Sequence, residues 1–148
     1  ELGTKKAIVI VFLSAKCPCS NSHIDELSKL SSDYPDFSFV GIHSNMDETE
    51  AQSAEYFKKV KLPFPVIQDQ DAQYANQFAA FKTPHSFVID SKGEVLYQGG
   101  VSNSHDLKKS NALFLREALV DISKGQKVRN AEGRTLGCFI VRKKNNVI

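Results

Sequence analysis

The residues best suited to chemistry are Cys17 and Cys19, two thiols flanking Pro18. They follow directly on Ala7-Ile-Val-Ile-Val-Phe-Leu13, a continuous apolar, β-branched run with the character of a strand buried on both faces. Beyond them Ile24, Leu27 and Leu30 recur at helical spacing, which predicts a helix from about Ser20 to Leu30 with Ser20 or Asn21 as its cap. A thiol at such a strand-to-helix junction meets free backbone N–H groups and the positive end of the helix dipole. Both favour the thiolate, the nucleophilic form of cysteine. Pro18 suits a first helical turn, where its missing N–H would have lacked a partner. Cys17 is the candidate nucleophile, attacking a disulfide or a peroxide, and the mixed disulfide or sulfenic acid it forms needs a second thiol to resolve it.

Three cysteines are an odd number, which argues against a structural disulfide framework. The resolving thiol is Cys19 or Cys138. A Cys17–Cys19 bond would close a very small, strained and oxidising ring. A Cys17–Cys138 bond would be less strained, but it needs the C-terminal tail to fold back over the active-site helix. Cys17, Cys19 and a histidine also form an alternative: two soft thiolates suit Cu(I) or Zn. His23, one turn into the helix, reads as a surface residue. His43, at a strand end, and His85, beside Pro84, stand where ligands gather in α/β sheets, as proton donors, ligands or structural groups.

The elements that must position these residues read as follows. Phe37–Ile42 is a second buried strand. Thr49-Glu-Ala-Gln52 has capping-box spacing and opens a helix with Ala54, Phe57 and Val60 on one face. Pro63-Phe-Pro-Val-Ile67 is extended, because proline disfavours helix at and before itself. A helix near Asp71–Phe81 is expected to bury Ala75, Phe78 and Ala79. Ser86–Ile89 and Glu94–Gln98 flank Asp90-Ser-Lys-Gly93, which is hairpin turn chemistry. A last helix, about Ser110–Ser123, turns Leu115, Leu119 and Ile122 inward and stops at Gly125. Asp25 and Glu26 read as solvated charges of a first helical turn, and Tyr34, Tyr56, Tyr74 and Tyr97 as packing residues. The order β-α-β-α-β-α-β-β-α gives an α/β fold, a central mixed sheet with helices on both faces.

With 148 residues, 41% hydrophobic and 24% charged, the sequence suits one domain over 1–148, with 126–148 as a C-terminal extension. A net charge of +2 with dispersed basic residues argues against nucleic acid as a partner, and Arg142-Lys143-Lys144 reads as a solvated tail. The longest apolar run, Ala7–Leu13, is strand-sized, so no membrane insertion is expected. The chain starts at Glu1 without methionine, which suggests a processed product and leans towards an extracytoplasmic site such as the bacterial periplasm.

Phe12-Leu-Ser-Ala-Lys-Cys17 resembles the active-site strand and turn of thioredoxins and peroxiredoxins. Lys82-Thr-Pro-His-Ser-Phe-Val-Ile-Asp-Ser-Lys-Gly-Glu-Val-Leu-Tyr-Gln-Gly99 is similar to the second hallmark of that superfamily, a threonine and cis-proline before an edge hairpin. Gly41-Ile-His-Ser-Asn45, Leu62-Pro-Phe-Pro-Val66 and Gly137-Cys-Phe-Ile140 narrow the resemblance to a peroxiredoxin-like branch of the redoxin proteins. The resemblance implies a thioredoxin-like fold and a cis Thr83–Pro84 bond packed against the thiol. It also implies a thiol–disulfide oxidoreductase or peroxiredoxin-like peroxidase acting on protein or small thiols and disulfides, or on peroxide, without a cofactor. Ser14, Pro18, Thr83 and Pro84 would bind substrate beside the redox cysteines Cys17, Cys19 and Cys138. Three departures stand out. Ser20 occupies the second cysteine position of the thioredoxin C-x-x-C pattern. Ile10 and Ser14 stand where peroxiredoxins carry proline and threonine. The four arginines, Arg116, Arg129, Arg134 and Arg142, all lie late, without an obvious match to a peroxidatic arginine. Disulfide exchange therefore fits better than peroxide reduction. Copper-delivery proteins of this fold space their cysteines C-x-x-x-C, a poor match to Cys17 and Cys19.

Overall fold

A computed structural model describes residues 5–142. Its centre is β1 (Ala7–Leu13), which pairs in parallel with β2 (Phe37–His43) and antiparallel with β5 (His85–Asp90). With β3 (Val66–Gln68) outside β2 and β6 (Val95–Gly99) outside β5, the sheet runs β3-β2-β1-β5-β6. Successive β1 side chains point to opposite faces, and both faces are covered. Val9, Val11 and Leu13 join a core with Leu27, Leu30, Leu115 and Leu119, while Ile10 and Phe12 join a second with Ile42, Phe87 and Ile140. That double burial is why the strand is apolar without alternation. This is the mixed α/β sheet of a thioredoxin-like fold.

The first helix is broken where one was expected. α1 (Pro18–Ser22) and α2 (Ile24–Asp33) are separated by His23, at φ −97° and ψ −1°. The His23 N–H turns to Ser20 O (3.1 Å), and the His23 ring takes the Cys19 carbonyl instead, with Nδ1 at 2.6 Å. His23 is therefore buried, not a surface residue. Glu26 also departs from its solvated reading: Arg116 of α5 (Phe114–Ser123) reaches its Oε1 at 2.8 Å and buries it, while holding Asp33 at 2.9 Å.

The expected capping box opens α3 (Glu50–Val60), with Thr49 and Gln52 bonding each other's backbone N–H at 3.1 Å. Phe57 and Val60 pack on the core, but Ser53 is buried and Ala54 exposed, because Ser53 Oγ donates to Glu50 O and to Gln68 Oε1. α4 (Gln73–Gln77) is shorter than predicted. Asp69 is buried, and its carboxylate accepts from the backbone N–H groups of Tyr74 and Ala75, fixing the helix start. Ala75 is buried and Phe78 packs nearby, whereas Ala79 adopts φ +53° and is exposed, leaving the inward place to Ala80. α5 begins four residues later than expected because Asn103 Oδ1 holds Asn111 N and Ala112 N in a loop.

One pairing had no counterpart among the expected elements. β4 (Lys82–Thr83) pairs antiparallel with β7 (Cys138–Phe139), the return of the C-terminal tail. Ile140 N donates to Phe81 O at 2.7 Å, Met46 N donates to Val141 O at 2.8 Å, and Ile140 is buried in the second core. Lys143 and Lys144 of the basic tail lie outside the described residues. Among the described residues no helix is long and apolar enough to cross a membrane.

Candidate active site

Cys17 is the N-cap of α1, four residues past the end of β1, and is buried. Its turn is tied from three sides. Ser14 N donates to Ser20 Oγ (3.0 Å), Ser20 N donates to Cys17 Sγ (3.4 Å), and Asn21 N donates to Cys17 O (2.9 Å). Beneath the turn lies Glu48, whose carboxylate accepts from Ser14 Oγ at 2.7 Å and from Lys16 N at 2.8 Å. Ser14 Oγ in turn accepts from Cys17 N at 3.2 Å. The His43 ring faces Glu48, with Nε2 3.5 Å from Oε2, too far for a hydrogen bond. Burial alone would raise the Glu48 pKa. The facing His43, the Ser14 hydroxyl and the Lys16 N–H outweigh it and hold the carboxyl below its ordinary value.

Cys138 is bonded to Cys17 in a disulfide, with the Cα atoms 6.0 Å apart. Gly137 makes this approach possible: a Cβ there would meet the Thr83 carbonyl carbon at 2.7 Å. The Thr83–Pro84 bond is cis, and Thr83 O lies 3.5 Å from Cys17 Sγ. The buried Thr83 Oγ1 has no partner among the described residues. Pro18 is the exposed first residue of α1, as expected. Cys19 is a free, half-buried thiol with its Sγ 3.5 Å from His105 Nδ1.

The structure buries His23, which reads as a surface residue in sequence, while His43 ends β2 and His85 follows the cis-proline, as expected. Burial lowers the His23 pKa; its Nδ1 lies 2.6 Å from the Cys19 carbonyl oxygen and its Nε2 2.7 Å from Ser102 Oγ. Burial brings His85 down to about 4, with its ring 4.5 Å from that of Phe87 and its Nδ1 without a partner among the described residues. Among the described residues the group close enough to share a metal ion is Cys17, Cys19 and Cys138, without a histidine. Arg116, Arg129 and Arg142 are engaged by Glu26 and Asp33, by Asp121, and by Asn76 respectively.

Two residues of this neighbourhood escaped sequence reading. Glu48 sits in Asp47-Glu-Thr-Glu50, a run that reads as solvated charge, and only the capping box beside it fixes its place. His105 lies in an exposed loop with no local signal at all.

Among solved structures, the chain is similar to an uncharacterized conserved protein from Geobacillus kaustophilus, with 25% identity, 95% of this chain and 79% of that one covered, and a TM-score of 0.85. It is likewise similar to a hypothetical protein from Sinorhizobium meliloti 1021, with 24% identity, coverage of 97% and 84%, and a TM-score of 0.87. A secreted Mycobacterium tuberculosis disulfide oxidoreductase homologous to E. coli DsbE shares the fold at 21% identity, coverage of 63% and 69%, and a TM-score of 0.56. No curated relative matches the chain. The Redoxin family model matches residues 1–113, well over half of the 148, and the chain belongs to the Redoxin family.

Proposed function

We propose that the protein is a thiol–disulfide oxidoreductase in which Cys17 attacks and Cys138 resolves. The observation that carries this reading is the Cys17–Cys138 bond beside the cis Thr83–Pro84 turn. In the reduced protein the Cys17 thiolate attacks one sulfur of a substrate disulfide. A mixed disulfide forms and the first substrate thiolate leaves. The Cys138 thiolate then attacks Cys17 Sγ, forming the internal disulfide and expelling the second thiolate. The protein pair loses two electrons and the substrate disulfide gains them. Ser20 N–H, 3.4 Å from Cys17 Sγ, is the donor that stabilises sulfur charge in this cycle. The exposed Phe139, which pairs with Lys82 beside the buried Thr83 and Pro84, offers the surface on which a protein or small disulfide lies.

The DsbE-like oxidoreductase from M. tuberculosis supports this reading through its shared fold. Peroxide is the narrower possibility, converting the Cys17 thiolate to a sulfenic acid that Cys138 closes with loss of water. The Ser14 hydroxyl is committed to Glu48 and three of the four arginines to other partners, which favours disulfides as the oxidant. The test is to challenge reduced, metal-free protein with one equivalent of oxidised glutathione or of hydrogen peroxide, then alkylate and map the peptides. A Cys17–Cys138 link with Cys19 alkylated, formed faster with the disulfide, is the expected result. A Cys17–Cys19 link, or three unchanged thiols in folded protein, would overturn the proposal.

A further inference from the structure

The two redox cysteines do not stand alone. The Sγ atoms of Cys17, Cys19 and Cys138 all lie within 4.8 Å of one another. Three thiolates bound to one tetrahedral zinc at ~2.3 Å each are about 3.8 Å apart, so Cys17 and Cys138, bonded here, must move apart after reduction while Cys19 closes up by about an ångström at most. Reducing the Cys17–Cys138 bond frees two of the three sulfurs for this adjustment.

His105 stands beside Cys19 but outside this group of three, so its exposed ring must swing towards Cys17 and Cys138 to serve as a fourth ligand. Cys19 Sγ is 3.5 Å from His105 Nδ1. A sulfur at ~2.3 Å and an imidazole nitrogen at ~2.1 Å from one tetrahedral ion are separated by about 3.6 Å. The loop that carries His105 is pinned to α1, because Ser22 Oγ donates to His105 O at 3.3 Å and accepts from Leu107 N at 3.2 Å. This holds the imidazole against Cys19 in a surface groove lined by Pro18, Cys19, Ser22, His105 and Asp106. The groove opens Cys19 and His105 to an entering ion, the access that a metal site requires.

We propose that the reduced protein binds one thiophilic divalent cation, Zn2+, through Cys17, Cys19, Cys138 and His105. Three thiolates and one imidazole form a set suited to tetrahedral zinc, and binding releases the thiol protons. The site shares two sulfurs with the proposed disulfide chemistry, so metal and disulfide exclude each other. When a substrate disulfide oxidises the pair, Cys17 and Cys138 form their bond, the substrate leaves as two thiolates, and the Zn2+ ion is released. Bound metal in turn shields Cys17 from attack. Metal binding needs only that the three thiols be reduced, so it stands or falls apart from turnover.

The test is an anaerobic titration of the fully reduced chain with Co2+, followed by Zn2+. One Co2+ per chain, with a thiolate-to-cobalt charge-transfer band and tetrahedral ligand-field bands displaced by one equivalent of Zn2+, is expected. Cys19→Ser should weaken binding by roughly a hundredfold or more while still forming the Cys17–Cys138 disulfide with oxidised glutathione, which shows that the variant is folded. His105→Ala should shift the ligand-field bands and weaken binding about tenfold. Reduced protein without a thiolate–cobalt band, or Cys19→Ser binding as tightly as the parent, would overturn the site. Unshifted bands in His105→Ala would overturn the fourth ligand. Peptide mapping of the metal-free protein reads the disulfide chemistry separately, so failure of one proposal is distinguishable from failure of the other.

Discussion

The Cys17–Cys138 bond spans a sequence separation of 121 residues, and that number sets a measurable stability. Cross-linking so long a loop removes about 16 cal/mol/K from the unfolded chain, or about 5 kcal/mol at 25 °C, in the chain-entropy treatment. A Cys17–Cys19 bond would constrain almost nothing, about 1 kcal/mol by the same relation. The two pairings therefore differ severalfold in the gap between oxidised and reduced protein. For a chain of this size, 5 kcal/mol corresponds to a melting-temperature gap of roughly 10–20 °C, and 1 kcal/mol to roughly 2–4 °C. The assay is thermal unfolding followed by circular dichroism, with and without a phosphine reductant, on the parent, Cys138→Ser and Cys19→Ser. The parent and Cys19→Ser should show the large gap, while Cys138→Ser should lose it. A large gap that survives in Cys138→Ser, or a parent gap of only a few degrees, would refute the assignment of the pair.

Gly137→Ala should push β7 away from the Thr83 carbonyl. Overpacking of ~1–3 kcal/mol should lower the equilibrium constant for forming the disulfide by about tenfold to a hundredfold, read in a glutathione redox titration; an unchanged constant would contradict the close contact. Glu48→Gln leaves one of two donors, the buried Ser14 Oγ–H or the part-buried Lys16 N–H, without its acceptor. Reduced protein should lose about 1–3 kcal/mol in urea unfolding, and a loss below ~0.5 kcal/mol would show that the carboxylate does not anchor the turn. His85 has a folded pKa of about 4 against an ordinary 6.5, so between these values the unfolded chain binds more protons than the folded one. Its contribution to stability is complete above pH 6.5 and declines as the pH falls towards 4. His85→Phe should flatten that acid limb by up to about 3 kcal/mol relative to the parent, and parallel pH profiles would sink the argument.

Local signals carried most of the sheet. The apolar run of β1, the Thr49–Gln52 capping box and the Asp90–Gly93 turn each act over a few residues, and each forms where its chemistry directs. The resemblance of Lys82–Gly99 to the superfamily's hairpin supplied the cis Thr83–Pro84 bond, which no periodicity reports. What escaped was long-range. β4 and β7 are two residues each, far too short for a pattern, and they exist because Ile140 buries itself and Ile140 N finds Phe81 O. The choice between Cys19 and Cys138 as partner of Cys17 rests on that pairing alone. Helix ends were misjudged where side chains compete for backbone groups: His23 for the Cys19 carbonyl, Asp69 for Tyr74 N, Asn103 for Ala112 N. Glu26 and Glu48 look alike in sequence to any solvated glutamate. Only Arg116 and Ser14, brought from other elements, make them buried.

The most direct test of Cys17 as nucleophile and Cys138 as resolver is to mix reduced Cys138→Ser with oxidised glutathione and follow it by intact mass and peptide mapping. The expected result is one glutathione held stably on Cys17, while the parent passes through that adduct and ends with the Cys17–Cys138 bond. An adduct on Cys19, or no adduct on folded protein, would contradict it.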